Sequence, residues 1–139
     1  MRVSKIFVTV DAVVIKKLKS RHEILLIKRR NDPFKDYWAL PGGFVDEHED
    51  LEIAAKRELE EETGLKINNA EQLKAFGKPF RDPRHHTVSV AFIMFAKEDA
   101  VVSGADDASD AQWFNINELP ELAFDHAEII TFALTKILS

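Results

Sequence analysis

Three glutamates in the middle of the chain have a spacing that would bring their side chains together. Glu58, Glu61 and Glu62 lie at positions i, i+3 and i+4, which share one face of an α-helix. Three carboxylates on one face repel each other unless a cation lies among them. Because Mg²⁺ and Mn²⁺ prefer oxygen ligands, the spacing predicts a divalent-cation site. The alternative is a solvated helix surface with ordinary i,i+4 ion pairs.

The residues around these glutamates favour the cation site. Gly42 and Gly43 follow Pro41, where they let the backbone approach a ligand closely and present a carbonyl near the start of the helix. Arg57 precedes Glu61 by four residues and can reach its side chain. The group contains no cysteine or histidine, the side chains that would favour zinc.

The elements that must position this group can be read from the sequence pattern. A helix is predicted over about residues 50–63, which lack glycine and proline, with Asp46 or Asp50 capping its start and Gly64 ending it. A second helix is predicted from Asp125 to Leu138, with one apolar face. Strands are predicted over residues 6–15, 24–27, 38–40, 73–76, 87–96 and 111–116. The order predicts an α/β fold with a mixed sheet between helices.

Composition narrows the class of protein. The chain has 139 residues, a formal net charge of −5 and no cysteine, so we expect one domain over residues 1–139 and no disulfide. A mildly acidic chain disfavours broad nucleic-acid binding, which needs a basic surface. The sequence lacks a membrane-spanning apolar run and a signal-peptide pattern, and we therefore expect a cytoplasmic protein.

The segment from Gly43 to Leu65 resembles the Nudix box, G-x5-E-x7-R-E-U-x-E-E-x-G-U, in which U is aliphatic. Every fixed position matches: Gly43, Glu49, Arg57, Glu58, Leu59, Glu61, Glu62, Gly64 and Leu65. Residues 38–46 are similar to the usual lead-in to the box. The resemblance therefore implies the Nudix-type α/β/α sandwich with a mixed β-sheet, over nearly the whole chain.

The resemblance also implies a chemistry. Nudix hydrolases use Mg²⁺ or Mn²⁺ to cleave the diphosphate of a nucleoside diphosphate linked to a second group. The implied metal ligands are the Gly43 carbonyl, Glu58, Glu61 and Glu62, while Glu49 either binds the metal through water or braces the loop. Glu58 is the implied base, although several relatives place the base outside the box. Arg57 is implied to orient a glutamate.

Outside the box, residues 81–92 and 112–126 resemble the ADP-ribose pyrophosphatase branch of the family. The candidate substrate-binding residues are Arg30, Phe34, Arg81 and Arg84. A solvated surface arginine is the alternative at each arginine position. Phe34, Tyr37, Trp38 and Phe80 are candidates to stack on adenine, and the alternative for Trp38 and Phe80 is a place in the core.

The leading interpretation is an ADP-ribose pyrophosphatase that yields AMP and ribose 5-phosphate, with a nucleotide-sugar substrate and a homodimeric state. One alternative is a MutT-like nucleoside triphosphate pyrophosphatase or a dinucleoside polyphosphate hydrolase. Another is a non-catalytic ADP-ribose-sensing module. We expect an enzyme rather than a sensor, because the box is intact and the sequence ends at Ser139, which leaves no room for the winged-helix domain of such regulators.

Overall fold

A mixed β-sheet forms the middle layer of the structure, a computed structural model that describes residues 1–103 and 108–138. With strands numbered in chain order, the central strand β1 (Phe7–Lys17) pairs in parallel with β6 (Thr87–Ala96). It pairs antiparallel with β2 (His22–Arg29) and β4 (Gly42–Phe44). The remaining strands are antiparallel: β3 (Trp38–Ala39) and β7 (Ala108–Asn115) on β2, and β5 (Glu71–Phe76) on β6.

One helix covers each face of this sheet. The helices are α1 (Leu51–Thr63) and α2 (His126–Ile137). Successive side chains of β1 point to opposite faces, so Val14 packs in the core cluster of Leu59 from α1. Ile15 packs in the cluster of Ile130 from α2. The predicted α/β/α sandwich is therefore confirmed.

The helices begin and end close to the predicted residues, but the predicted capping by aspartate side chains is wrong. Asp50 and Asp125 occupy the N-cap positions of α1 and α2, yet neither side chain makes a capping hydrogen bond. The carboxylate of Asp125 instead binds Arg81. Gly64 ends α1 in the left-handed conformation, with φ of 76°, as the sequence predicts.

The positive φ of Gly64 gives a testable prediction. Replacing Gly64 with alanine should lower the free energy of unfolding by about 1–2 kcal/mol, because a Cβ atom is strained in the left-handed region. Gly77→Ala is the matched control, since a Cβ there would meet only Val88 at an ordinary 3.4 Å. Urea unfolding measures both variants, and equal losses would contradict the assignment.

Strand β4 is the element that the sequence pattern missed. Glycine disfavours regular strands, but Gly42 and Gly43 pair directly with Asp11 and Val10 of β1. A Cβ atom on Gly42 would lie only 2.1 Å from the Val10 carbonyl oxygen, so this pairing requires glycine. Among the described residues, no helix has both the length and the apolar character needed to cross a membrane.

Candidate active site

Arg57 organises the acidic residues of α1 and of the loop before it. Its Nε and Nη2 atoms donate to the two carboxylate oxygens of Glu49 at 2.7 and 2.9 Å. Its Nη1 atom donates to Glu58 at 2.9 Å and to Glu61 at 3.1 Å. Nη2 also donates to the Phe44 carbonyl oxygen at 3.1 Å. One guanidinium thus holds three carboxylates and the end of β4 together.

These contacts shift the protonation of the group. The hydrogen bonds from Arg57 lower the pKa of Glu49 to about 2, and those with Glu49 raise the pKa of Arg57. Burial raises the pKa of Glu58, although its contact with Arg57 acts in the opposite direction. Glu58 therefore takes up a proton at a higher pH than an exposed glutamate does.

Arg57 reduces the repulsion between two of the glutamates, because its guanidinium lies between Glu58 and Glu61. Glu62 is turned away from it, and its Oε1 atom accepts the Gly42 N–H at 2.7 Å. Across residues 1–103 and 108–138, no three acidic or histidine side chains are grouped to hold a metal ion in this conformation.

The residues present nevertheless fit Mg²⁺ or Mn²⁺. A Cβ atom on Gly43 would lie 2.6 Å from Oε2 of Glu58, so glycine is what lets this carboxylate approach the backbone. The candidate ligands are all oxygen atoms, from Gly43, Glu58, Glu61 and Glu62, and hard divalent cations prefer such ligands. Glu49 is engaged by Arg57 and by the Asp46 N–H, which favours its bracing role over metal ligation.

A cavity opens beside the C-terminal end of α1. It lies between β1, β4, the loop before β6 and the turn before α2. Glu62 and Gly43 line it, so the cavity meets the glutamate group directly. Six charged residues line the cavity: Asp11, Arg29, Glu62, Arg81, Asp82 and Arg84. The wall also contains apolar side chains such as Leu40 and Phe124, so it suits a ligand with both charged and apolar parts.

Arg81 and Arg84 both line the cavity, but each is engaged by an aspartate. Arg81 binds both carboxylate oxygens of Asp125, at 2.9 and 2.6 Å, and its side chain is only 6% exposed. Arg84 binds both oxygens of Asp82, at 3.1 and 2.8 Å, and its side chain is 42% exposed. Arg81 therefore holds the loop to α2, whereas Arg84 remains accessible to a ligand.

The other two predicted substrate contacts lie outside the cavity wall. The structure places Arg29 in the lining instead of Arg30, because Arg29 shares a strand face with Ile27, which also lines the cavity. Arg29 stacks on Phe124, with 4.9 Å between the guanidinium carbon and the ring centre. Phe34 packs against the Phe124 ring, with 4.9 Å between the two centroids, but does not line the cavity.

The predicted aromatic candidates fall into different environments. Phe80 is 92% exposed, so its alternative place in the core is wrong. Trp38 packs edge-on against Phe114 at 4.8 Å and belongs with the hydrophobic cluster beneath α2. Tyr37 packs against Phe34 at 5.5 Å. The rings of Phe34, Tyr37, Trp38 and Phe80 are all absent from the lining of the cavity.

Sequence reasoning did not identify most of the cavity residues, and Asp11, Phe124 and His126 are examples. Asp11 is a charged residue between Val10 and Ala12 in the apolar part of β1, and that contrast was the available signal. His126 is buried and its Nδ1 atom accepts the Leu40 N–H at 3.0 Å. Phe124 has a positive φ of 52°, which no sequence pattern indicates.

Comparison with known proteins agrees with this geometry. The NUDIX domain family matches residues 7–132. An ADP-ribose pyrophosphatase of Methanocaldococcus jannaschii is 47% identical over 123 residues, which are 88% of this chain and 70% of that protein.

Two further relatives are connected with ADP-ribose by name. The ADPR responsive transcriptional repressor NtrR of Acinetobacter baylyi is 35% identical over 133 residues. The match covers 93% of this chain, which spans only 53% of that repressor's length. The crystal structure of the NUDIX domain of Shewanella oneidensis NrtR complexed with ADP ribose superposes with a TM-score of 0.88. It is 33% identical, and the match covers 94% of this chain and 88% of that one.

Proposed function

The chain belongs to the Nudix family, and from that premise we propose that it hydrolyses ADP-ribose to AMP and ribose 5-phosphate. The observation that carries the proposal is the meeting of the Arg57-bound glutamate group with a charged cavity at Gly43 and Glu62. The ADP-ribose pyrophosphatase relative supports the choice of substrate. A diphosphate at this meeting point would have the glutamates on one side and the cavity arginines on the other.

The metal site is part of this proposal. We assign the Gly43 carbonyl, Glu58, Glu61 and Glu62 as the residues that would hold Mg²⁺ or Mn²⁺. When bound, such an ion neutralises charge on the phosphoryl oxygens and the leaving group. Arg57 orients two of these carboxylates, and the Gly42 N–H fixes a third. The role of Glu58 as the base stays a prediction.

The cavity wall supplies the substrate contacts. Arg84 is accessible and can bind a phosphate through its guanidinium. The guanidinium groups of Arg29 and Arg84 both contact the Phe124 ring. Arg81 serves to hold the wall in place through Asp125. Contacts from Arg30 and Phe34 stay predictions.

A substrate panel tests the proposed activity. We expect Mg²⁺-dependent turnover of ADP-ribose to exceed that of NADH, 8-oxo-dGTP and diadenosine polyphosphates, because the relative that is 47% identical is an ADP-ribose pyrophosphatase. Parallel reactions in EDTA provide the control. A preference for 8-oxo-dGTP would favour the MutT-like alternative. A preference for a diadenosine polyphosphate would favour a dinucleoside polyphosphate hydrolase. Either result would contradict the choice of ADP-ribose.

A second candidate function is ADP-ribose sensing without hydrolysis, which the repressor relative favours. The sensor would bind ADP-ribose in the same cavity. Tight binding together with turnover no faster than the EDTA control would support it against the enzyme.

Three expectations from the sequence stay predictions: a homodimer, a cytoplasmic location and a single domain over residues 1–139. Residues 104–107 and 139 lie outside the described part of the chain. Sedimentation equilibrium of the purified protein would measure the number of subunits.

A further inference from the structure

Asp11 is a buried carboxylate in the floor of the cavity. It lies in the central strand β1, is 6% exposed and lines the cavity. The Ser89 hydroxyl donates a hydrogen bond to its Oδ2 atom. The His126 Nε2 atom lies 3.7 Å from its Oδ1 atom, which is beyond hydrogen-bond distance. An ionised carboxylate can accept about four hydrogen bonds, so Asp11 retains acceptor capacity on the side of the cavity.

The sheet around Asp11 changes from apolar to polar where the cover of α2 ends. Alternate residues of β1 share a face, and on this face Val13 and Ile15 pack in the cluster beneath α2. The same face continues with Asp11 and Thr9, which line the cavity. Thr87 of the parallel neighbour β6 joins them there. The floor is therefore made of hydroxyl and carboxylate groups, which the packing of α2 does not require.

The position of Asp11 relative to the glutamate group limits what it can contact. Gly42 is its pairing partner across β1 and β4, and a Cβ atom on Gly42 would lie 2.6 Å from Oδ1 of Asp11. The N–H of the same glycine donates to Glu62 at 2.7 Å. Asp11 and Glu62 are thus separated by a single glycine. This placement favours a group bonded directly to a diphosphate beside Glu62 as the part of a ligand that reaches Asp11.

We propose that Asp11 recognises substrate, with its carboxylate accepting hydrogen bonds from the hydroxyl groups of a ribose bonded directly to the diphosphate. Ribose hydroxyls are donors, and a buried carboxylate with spare lone pairs is a matching acceptor. The adenine base is excluded from this position because a whole ribose separates it from the diphosphate. This inference rests on the proposed function for the identity of the ligand.

Calorimetric binding in EDTA, which prevents turnover, tests the inference with Asp11→Asn and three ligands. Asn keeps an acceptor for Ser89 but loses the charge. The variant should bind ADP-ribose about tenfold or more weakly, as expected for hydrogen bonds to a charged group. Binding of inorganic pyrophosphate should not change. If the variant also binds ADP more weakly, Asp11 contacts the nucleoside ribose. If only the binding of ADP-ribose is weaker, Asp11 contacts the other ribose. Unchanged binding of both, or an equal loss with pyrophosphate, would overturn the inference.

Ser89→Ala is the matched control, because it removes the hydrogen bond between Ser89 and Asp11 and leaves the Asp11 carboxylate in place. We expect it to bind ADP-ribose within about threefold of the parent, less than the loss of a charged contact. If Ser89→Ala reproduces the full loss, the contact between the two side chains is structural and the inference is wrong. Ligand analogues that lack single ribose hydroxyls test the parent protein directly, should the Asn variant not fold. At least one should bind about tenfold more weakly.

The outcome is separable from that of the proposed function. Turnover of ADP-ribose by the parent with Mg²⁺ is measured independently of these affinities. No turnover together with the expected Asp11→Asn pattern would contradict the enzyme and support the ribose contact. Normal turnover by the parent, together with affinities that Asp11→Asn leaves unchanged, would support the enzyme and contradict the ribose contact. A parent protein that binds neither ADP-ribose nor ADP would contradict both.

Discussion

Replacing Glu62 or Glu61 with glutamine should lower the rate of ADP-ribose hydrolysis at least about a hundredfold, a loss on the order of 3 kcal/mol in the barrier. Glutamine keeps the shape of the side chain but removes the charge that would hold a divalent cation. The Glu62 variant can still accept the Gly42 N–H through its amide oxygen, so the fold should persist. Steady-state rates with Mg²⁺ and thermal unfolding measure the two effects separately.

Glu60→Gln is the matched control on the same helix. Glu60 is exposed, and its ion pair is with Lys66 at 3.5 Å, away from the cavity. Its rate should stay within about twofold of the parent, because exposed ion pairs contribute little. Near-normal rates in both the Glu61 and Glu62 variants would mean that the metal site has been placed wrongly.

The two glycines of β4 should respond differently to alanine, because a Cβ atom at Gly42 would meet backbone and one at Gly43 would meet a side chain. Gly42→Ala should lower the free energy of unfolding by about 2–3 kcal/mol, as overpacking does. Its Cβ atom would lie 2.1 Å from the Val10 carbonyl oxygen, which belongs to the backbone of the central strand. The strand pair must therefore separate to admit it. Urea unfolding measures the loss.

Gly43→Ala serves as the comparison for Gly42→Ala. Its Cβ atom would meet the end of the Glu58 side chain at 2.6 Å, and that carboxylate can rotate away. We expect the free energy of unfolding to fall by less than about 1 kcal/mol, since the Glu58 side chain can move. The rate of ADP-ribose hydrolysis should fall about tenfold or more, because the Glu58 carboxylate is displaced. Equal stability of both variants, or full activity of Gly43→Ala, would contradict the described geometry.

Local patterns were sufficient to predict the helices and the long strands. The prediction for α1 rested on a run without glycine or proline that ends at Gly64, and β6 has the predicted bounds of Thr87–Ala96. These elements follow from propensity and periodicity within one segment. Strand β4 could not be predicted in this way, because two glycines form a strand only where Val10 and Asp11 present an open partner.

The sequence predicts which glutamates belong to the candidate site, but it does not predict which side chains contact each other there. Helical spacing predicts that Arg57 reaches Glu61, and it does. Its stronger contact, with Glu49 at 2.7 Å, depends on the path of the preceding loop, which spacing cannot indicate. Arg29 rather than Arg30 lines the cavity because strand alternation decides which side chain faces inward.

The arginines of the cavity illustrate the same limit. A sequence shows that Arg81 and Arg84 lie near a turn, but only the structure shows which arginine is buried and which is exposed. Arg81 is held by Asp125, a residue 44 positions away, whereas Arg84 is held by Asp82, two positions away. The long-range pair is buried and positions the loop, and the local pair stays accessible.

Anomalous diffraction from crystals soaked with Mn²⁺ tests the central claim most directly. That claim is that one end of a glutamate-bearing helix holds divalent cations beside the cavity. We predict a manganese peak bonded by carboxylate oxygens of Glu58, Glu61 or Glu62 and adjacent to the Gly43 carbonyl. Crystals in which manganese binds elsewhere or not at all would contradict it.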